Sequence, residues 1–194
     1  MGASPLTYDP ASDPSSVPLK IRGHDMMAND TVHLAQFNIS RLNAPLDTPS
    51  MKEFVDFLDP VNAFAEQSPG FVWRLMAADG AAASYLPPAY DDPMMITNLT
   101  VWTDLESLRV FTYETVHRYF LQSRRKWFDR PSGKYVVLWW IPAGQLPALE
   151  EAKARLRLLE EHRPSATAFT FHDAFDPAGH PVPRAVRAGP GNEP

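Results

Sequence analysis

The chain of 194 residues contains no cysteine and carries a formal net charge of −5 at pH 7. Without cysteine it forms no disulfide, offers no thiolate to a metal and has no cysteine nucleophile. The excess of acidic over basic residues argues against a nucleic-acid-binding surface. No apolar stretch approaches the roughly 20 residues that span a bilayer, and the first residues lack the pattern of a signal peptide. We therefore expect a cytoplasmic protein with no membrane span.

Sequence motifs of several enzyme classes are also missing. The chain has no Gly-rich phosphate loop, no dinucleotide-binding fingerprint and no G-x-S-x-G nucleophile elbow. Its six histidines do not have the spacing of metal ligands, and no acidic cluster accompanies them. The sequence therefore disfavours nucleotide-dependent, serine-hydrolase and zinc chemistry, and we expect no metal site.

The composition does contain the material for a core. Apolar residues make up 44% of the chain and aromatic residues 11%, which excludes global disorder. The 20 prolines cluster near the ends, in segments without periodicity. These patterns predict a flexible leader over residues 1–30, one folded domain over residues 31–175 and a flexible Pro-rich tail over residues 176–194.

Between these ends, the spacing of apolar residues predicts alternating strands and helices. Strands are expected over 31–40, 71–77, 94–103 and 135–141, helices over 49–68, 105–128 and 149–162, and a short extra strand over 168–171. A capping box of Ser50 and Glu53 would start the first helix, and Pro60 should kink or divide it. The order β-α-β-β-α-β is that of the ferredoxin-like unit. The predicted class is α+β, with an antiparallel sheet and an extra C-terminal helix.

A ferredoxin-like sheet has its helices on one face, so the other face needs a cover. The predicted strands are apolar on both sides in places. A second copy of the chain would cover this face economically, in a two-fold arrangement whose sheets close toward a barrel. The sequence therefore predicts a homodimer.

Three blocks of sequence resemble a known family. They are HLAQFNISRLNAPLDTPSMKEFVDFLDPVNAFAEQSPGFVWRL, NLTVWTDLESLRVFTYETVHRYFLQSRRKWF and VLWWIPAG, in this order. They are similar, over about residues 32–175, to the bacterial and fungal family called domain of unknown function 3291. That family resembles the dimeric α/β-barrel (antibiotic-monooxygenase-like) superfamily, which includes cofactor-independent monooxygenases, small-ring isomerases, polyketide cyclases and haem-binding enzymes. The resemblance implies the fold, and it transfers no catalytic residue.

The predicted second helix carries polar side chains on one flank. At about 100° per residue, Tyr113, His117 and Arg124 lie close together beside the apolar face. His117 would act as general acid or base. Tyr113 would donate a hydrogen bond to a developing enolate, and Arg124 would hold a carboxylate or phenolate. The alternative is a partly buried His117 bonded to a backbone carbonyl, with Arg124 in solvent.

Amides interrupt the apolar strands. Alternation places Gln36 and Asn38 on one side of the first strand, and this side is expected to face the barrel interior because the helix-covered side should be purely apolar. Asn98 shares a side of the third strand with Thr100 and Trp102. Buried amides need partners, so Asn38 and Asn98 are either structural bridges or ligand contacts.

The strands also carry neighbouring large side chains that point in opposite directions. At most one of Trp73 and Arg74 can line a cavity, and the same holds for Trp139 and Trp140. One aromatic of each pair is expected to stack on a flat ligand. The alternative is that the tryptophans belong to the core or to a dimer contact.

These features favour an enzyme of secondary metabolism acting on a small planar or polycyclic hydrophobic molecule. The expected reaction is isomerisation, cyclisation or monooxygenation without a cofactor, with His117 moving the proton. One alternative is a haem protein with His117 as axial ligand. Another is a non-catalytic module that binds a small molecule.

Overall fold

The computed structural model describes residues 31–78, 80–115 and 117–183. The predicted leader, residues 1–30, and residues 184–194 of the predicted tail lie outside the described residues. In the part of the chain that the structure describes, no helix combines the length and apolar character needed to cross a membrane.

Four strands form one antiparallel sheet. They are β1 (Val32–Arg41), β2 (Phe71–Arg74), β3 (Met95–Trp102) and β4 (Val136–Pro142), in the order β2-β3-β1-β4. Each neighbouring pair runs antiparallel. This order confirms the predicted ferredoxin-like α+β fold. β2 ends at Arg74, earlier than predicted, and just beyond it the Leu75 amide donates to the Leu99 carbonyl of β3 at 2.8 Å.

The first helix, α1 (Lys52–Glu66), follows a 3-10 turn at Pro49–Met51. It continues through Pro60 without the predicted division. The predicted capping box is wrong. Because the 3-10 turn delays the start of α1, Glu53 already lies inside the helix, and its carboxylate accepts hydrogen bonds from Tyr119 and Lys126 instead.

The predicted single helix over 105–128 is also wrong. The chain forms α2 (Leu105–Glu114), α3 (His117–Ser123) and a final 3-10 turn at Arg124–Lys126. Thr115 between α2 and α3 is extended, with φ −111° and ψ −167°. Its hydroxyl donates to the Phe111 carbonyl and accepts from the His117 amide. A side chain that bonds to nearby backbone groups competes with the helix, which explains the break.

The fourth helix, α4 (Leu149–Glu161), covers the sheet face that was expected to be bare. Its apolar stripe of Ala152, Leu156 and Leu159 packs on a cluster that includes Phe37 and Trp139. Phe37 and Trp139 are both fully buried within this one chain. The prediction that a second copy of the chain covers this face is therefore wrong, because α4 supplies the cover.

Helices α1 and α2 cover the opposite face. Ala65 of α1 and Leu108 of α2 pack with Leu34 and Trp102 of the sheet. Leu34 alternates with Gln36 and Asn38 along β1, so the amides lie on this face too. The prediction that the amide side faces a barrel interior is wrong, since it faces the chain's own helices.

The chain after α4 returns along the edge of the sheet. The predicted strand over 168–171 is reduced to two isolated bridges, one between Ala168 and Ser165 and one in which Phe169 and Leu138 exchange backbone hydrogen bonds of 2.9 Å. Trp140 Nε1 donates to the Phe175 carbonyl at 2.8 Å. A turn then follows, in which Asp176 accepts from the backbone amide of His180 at 2.8 Å. The Val182 amide also donates to the Ala174 carbonyl at 2.8 Å. The described part of the predicted tail is therefore hydrogen-bonded to the domain, beyond the predicted boundary at residue 175.

Candidate functional site

A cavity of about 260 Å³ lies between the amide face of the sheet and helices α1, α2 and α3. Its walls are largely apolar, and aromatic rings from several elements contribute to them. These rings belong to Phe54, Phe57, Phe111, Phe120, Phe128 and Phe171. An apolar wall with a few convergent polar groups is the usual composition of a small-molecule site.

The floor of the cavity is a hydrogen-bonded group of strand side chains. The register of the sheet places Gln36 opposite Thr100 and Asn38 opposite Asn98. The Thr100 hydroxyl donates to Gln36 Oε1 at 2.8 Å, and Gln36 Nε2 donates to Asn38 Oδ1 at 2.8 Å. Asn98 Nδ2 also donates to Asn38 Oδ1, at 3.2 Å. All four side chains line the cavity, so the two predicted asparagines are brought together.

His117 lines the cavity as the first residue of α3. Its Nδ1 lies 3.2 Å from the carbonyl oxygen of Thr112. A carbonyl only accepts, so Nδ1 carries the ring hydrogen and Nε2 keeps its lone pair. Burial lowers the pKa of His117, and the bond to Thr112 offsets this only in part. The imidazole is therefore neutral near pH 7, with Nε2 available to accept a proton.

The rings around His117 hold the imidazole in place. The ring centroid of Phe111 lies 5.1 Å away and that of Phe120 6.4 Å away. The sequence left two alternatives for His117, a cavity residue or a histidine bonded to a backbone carbonyl. In the structure it is both. The bond to Thr112 depends on the break between α2 and α3, which no sequence motif signals.

Tyr113 and Arg124 also line the cavity. Tyr113 is 44% exposed, and its ring packs edge-on against Phe171 with 5.4 Å between the centroids. Burial and the nearby Tyr135 raise the pKa of Tyr113, so its hydroxyl stays protonated and can donate. The Arg124 guanidinium lies over the Tyr135 ring, 4.8 Å from its centroid. The predicted flank of Tyr113, His117 and Arg124 is thus assembled, although it spans two helices and a turn.

Arg74 is the second cation of the cavity lining. Its Nε donates to Glu66 Oε1 at 2.7 Å, and its side chain is 11% exposed against 42% for Glu66. Its Nη1 is buried and has no hydrogen-bond partner among the described residues. A charged group that is nearly buried and incompletely paired is costly, which is more often accepted at a functional site than elsewhere.

The tryptophans predicted to contact a ligand lie elsewhere. Trp139 and Trp73 pack in the cluster beneath α4, on the other face of the sheet. Trp140 packs with Phe169 and Phe175 at the sheet edge. The prediction that a tryptophan of each pair lines the cavity is wrong, because the cavity lining includes Arg74 of the first pair and neither tryptophan of the second. Phenylalanines of the helices, not strand tryptophans, supply the flat walls.

Haem, the predicted alternative, does not fit this cavity. His117 meets part of the requirement, since Nδ1 is held by Thr112. However, about 260 Å³ is less than the roughly 300–1,000 Å³ of typical small-molecule sites, and haem is larger than most of their ligands.

The fold and the site together define a class, that of ferredoxin-like α+β proteins with a largely apolar cavity between sheet and helices. The chain belongs to the family described as Domain of unknown function (DUF3291), whose model matches residues 33–185. The match confirms the family resemblance and extends beyond the predicted end of the domain. A search of the curated proteins gave no match.

Several solved structures are similar in fold at low sequence identity. A protein of unknown function from Nitrosomonas europaea is 14% identical, covering 61% of this chain and 98% of that one, with a TM-score of 0.38. A conserved protein from Methanosarcina mazei is 11% identical, covering 58% and 94%, with a TM-score of 0.40. A mutant of SnoaB, a cofactor-independent oxygenase from Streptomyces nogalater, is 16% identical, covering 59% and 95%, with a TM-score of 0.39. At these values a function has to be inferred from the site itself.

Proposed function

We propose that the chain is an enzyme that transforms a small, planar, hydrophobic metabolite in this cavity by proton transfer, without a bound cofactor. His117 Nε2 removes a proton from an acidic C–H or O–H group of the ligand. The amides of the floor hold the oxygen atom on which negative charge develops. The observation that carries the proposal is the bond from His117 Nδ1 to Thr112, which fixes a neutral base in an apolar cavity.

The anion formed in this step has three balanced outcomes. Reprotonation at another atom is isomerisation, and attack on an electrophilic carbon of the same molecule is cyclisation. With O₂ as co-reactant, a CH₂ group becomes C=O and the second oxygen atom leaves as water, which is monooxygenation. Tyr113 and Arg124 support all three, because a phenol hydroxyl and a guanidinium both stabilise an oxyanion.

Deuterium exchange tests the shared proton-transfer step. 1-Tetralone is a bicyclic ketone with an enolisable C–H, and its uptake of deuterium from D₂O is followed by mass spectrometry. We expect the wild-type chain to accelerate exchange. His117→Gln should lower that acceleration by about a hundredfold or more, since glutamine keeps the polarity but is not a base.

His162 provides the matched control, because it lies exposed just after α4 and is not part of the cavity lining. His162→Gln should exchange 1-tetralone at the wild-type rate. Equal rates for wild type and His117→Gln would remove His117 as the base. Binding of 1-tetralone without accelerated exchange would instead favour a non-catalytic binding module.

We also propose a homodimer, on the family resemblance alone. α4 already covers the second sheet face, so a dimer would have to use another surface. Native mass spectrometry tests this directly, because the chain has a mass of 21.8 kDa and a dimer twice that. A single species at the monomer mass at micromolar concentration would contradict the dimer.

A further inference from the structure

The hydrogen bonds of the cavity floor run in one direction. They begin at Trp102, whose Nε1 donates to Thr100 Oγ1 at 3.0 Å. The Thr100 hydroxyl donates a hydrogen bond to Gln36 Oε1, and Gln36 Nε2 donates one to Asn38 Oδ1, both at 2.8 Å. Asn98 Nδ2 reaches the same oxygen of Asn38.

Chemistry fixes this direction. An indole only donates, and a hydroxyl has one hydrogen to give. If Gln36 and Asn38 were both turned over, Gln36 Nε2 would point at Thr100 Oγ1, and the Thr100 hydrogen would lose its acceptor. Thr100 is only 7% exposed, so an unpaired hydroxyl there would cost free energy. The network therefore decides which end of each amide is oxygen and which is nitrogen.

The two asparagines are left with opposite free ends. Asn38 uses its oxygen twice, so its Nδ2 hydrogens remain, and Asn98 uses its nitrogen, so its Oδ1 remains. Neither free end has a hydrogen bond to another described residue, and neither belongs to the buried atoms without a partner. Both side chains line the cavity. The floor thus offers a ligand a free amide nitrogen as donor, from Asn38, and a free amide oxygen as acceptor, from Asn98.

We infer that the cavity selects ligands that carry a carbonyl oxygen beside an O–H or N–H group. The carbonyl accepts from Asn38 Nδ2, and the O–H or N–H donates to Asn98 Oδ1. Enolised 1,3-dicarbonyl compounds, hydroxy ketones and cyclic lactams have this pair of groups. If the chain is the enzyme proposed above, these compounds are its substrate class. Their recognition can be measured by binding alone, whether or not the chain is an enzyme.

Three bicyclic molecules of nearly equal size test this recognition. Isoquinolin-1(2H)-one is a lactam with both groups, isocoumarin has the carbonyl but a ring oxygen in place of the N–H, and naphthalene has neither. Two hydrogen bonds predict that the lactam binds about tenfold or more tighter than naphthalene by titration calorimetry. Isocoumarin should bind at least about threefold more weakly than the lactam, because its ring oxygen leaves Asn98 Oδ1 unpaired.

Thr100→Val tests whether the network sets the orientation. Valine matches the shape of threonine without its hydroxyl, so Gln36 and then Asn38 become free to turn over. The lactam's preference over isocoumarin should fall below about twofold. Thr100→Ser keeps the hydroxyl and should keep the wild-type preference. The preference is the ratio of the affinities for the lactam and for isocoumarin. A variant that binds both molecules more weakly by the same factor therefore has an unchanged ratio.

The outcomes separate this inference from the proposed function. A wild-type chain that binds all three molecules equally overturns it, as does Thr100→Val with the wild-type preference. Tightest binding of a fourth probe, 2-naphthoate, would also overturn it, because Arg74 and Arg124 would then dominate recognition. If Thr100→Val does not fold, the wild-type and Thr100→Ser ratios still decide. If the wild-type chain does not accelerate deuterium exchange but still prefers the lactam, the proposed enzyme activity is contradicted and the inferred recognition stands.

Discussion

The imidazole Nδ1 of His117 lies 3.2 Å from the backbone oxygen of Thr112, five residues earlier and on the other side of the break between α2 and α3. In an unbroken helix that carbonyl would bond to the backbone amide four residues later. Here Thr115 is extended and the helix is interrupted, and the carbonyl accepts from the His117 side chain. This contact sets the tautomer of His117, and burial in the cavity lowers its pKa and keeps the ring neutral.

The pKa of His117, lowered mainly by burial, predicts how stability depends on pH. Above the ordinary value of about 6.5, the ring is neutral in both folded and unfolded chains. As the pH falls through that value the unfolded chain binds the proton first, so the free energy of unfolding decreases. The loss continues until the lower folded pKa is passed. Urea unfolding between pH 7 and 5 should show a steeper loss for wild type than for His117→Gln, and parallel curves would contradict this prediction.

The same pKa predicts the pH dependence of exchange. Protonation of Nε2 removes the base, so the rate of 1-tetralone exchange should decline at acid pH. Its midpoint should lie below the value of an ordinary histidine, because burial disfavours the charged ring. A rate profile measured from pH 4 to 8 checks this, and a midpoint above about 6.5 would be inconsistent with a buried neutral base.

Thr115 is predicted to control the position of His117. Thr115→Ala removes the hydroxyl that bonds to Phe111 and to the His117 amide. We expect α2 and α3 to join, since alanine is the strongest helix former. Helix content by circular dichroism should rise, and exchange of 1-tetralone should fall. Thr115→Ser keeps the hydroxyl and serves as the control. Thr115→Ala with unchanged helix content and full activity would show that the break has another cause.

Gly70 is predicted to be the least replaceable glycine among the described residues. It has φ +79°, and a Cβ there would collide with the Ser107 side chain and lie 2.7 Å from Thr103 Oγ1. Gly80 has a similar φ of +88° but nothing within 4 Å. Both Gly→Ala changes carry the left-handed backbone cost of about 1–2 kcal/mol. Gly70→Ala should lose more free energy of unfolding than Gly80→Ala, and the difference measures the collision at the start of α2. Equal losses would contradict it.

Arg74, which lines the cavity, is predicted to lower the free energy of unfolding. Arg74→Met keeps the apolar stem and removes the buried Nη1 that has no partner. Removing a buried donor without a partner should stabilise the fold by about 1–3 kcal/mol. The substitution also loses the ion pair with Glu66, whose carboxylate is 42% exposed, and such a pair contributes about 0–1 kcal/mol. Urea unfolding should therefore find Arg74→Met as stable as wild type or more so.

Arg109 offers the comparison for that change, because it also pairs with a glutamate but its side chain is 43% exposed. Arg109→Met should alter the free energy of unfolding by no more than about 0.5 kcal/mol. A loss of more than about 1 kcal/mol for Arg74→Met would mean that the bond to Glu66 outweighs the unpaired donor.

Local patterns in the sequence determined the elements and their order. Alternation along β1 and β3 put Gln36 with Asn38, and Asn98 with Thr100, because side chains of a strand change face at every residue. Helical spacing likewise put Tyr113, His117 and Arg124 on one flank. These periods depend only on backbone geometry, so the sequence contained the ferredoxin-like fold and most of the polar residues of the cavity.

Tertiary contacts decided what each face meets. The sequence could not tell that α4 would cover Phe37 and Trp139, and this contact turned the amide face toward α1 and α2 instead of a partner chain. Nor did any motif mark the bond between His117 and Thr112, because it requires a break that Thr115 makes through its own side chain. Packing energy belongs to pairs of elements distant in sequence, so a local pattern does not encode it.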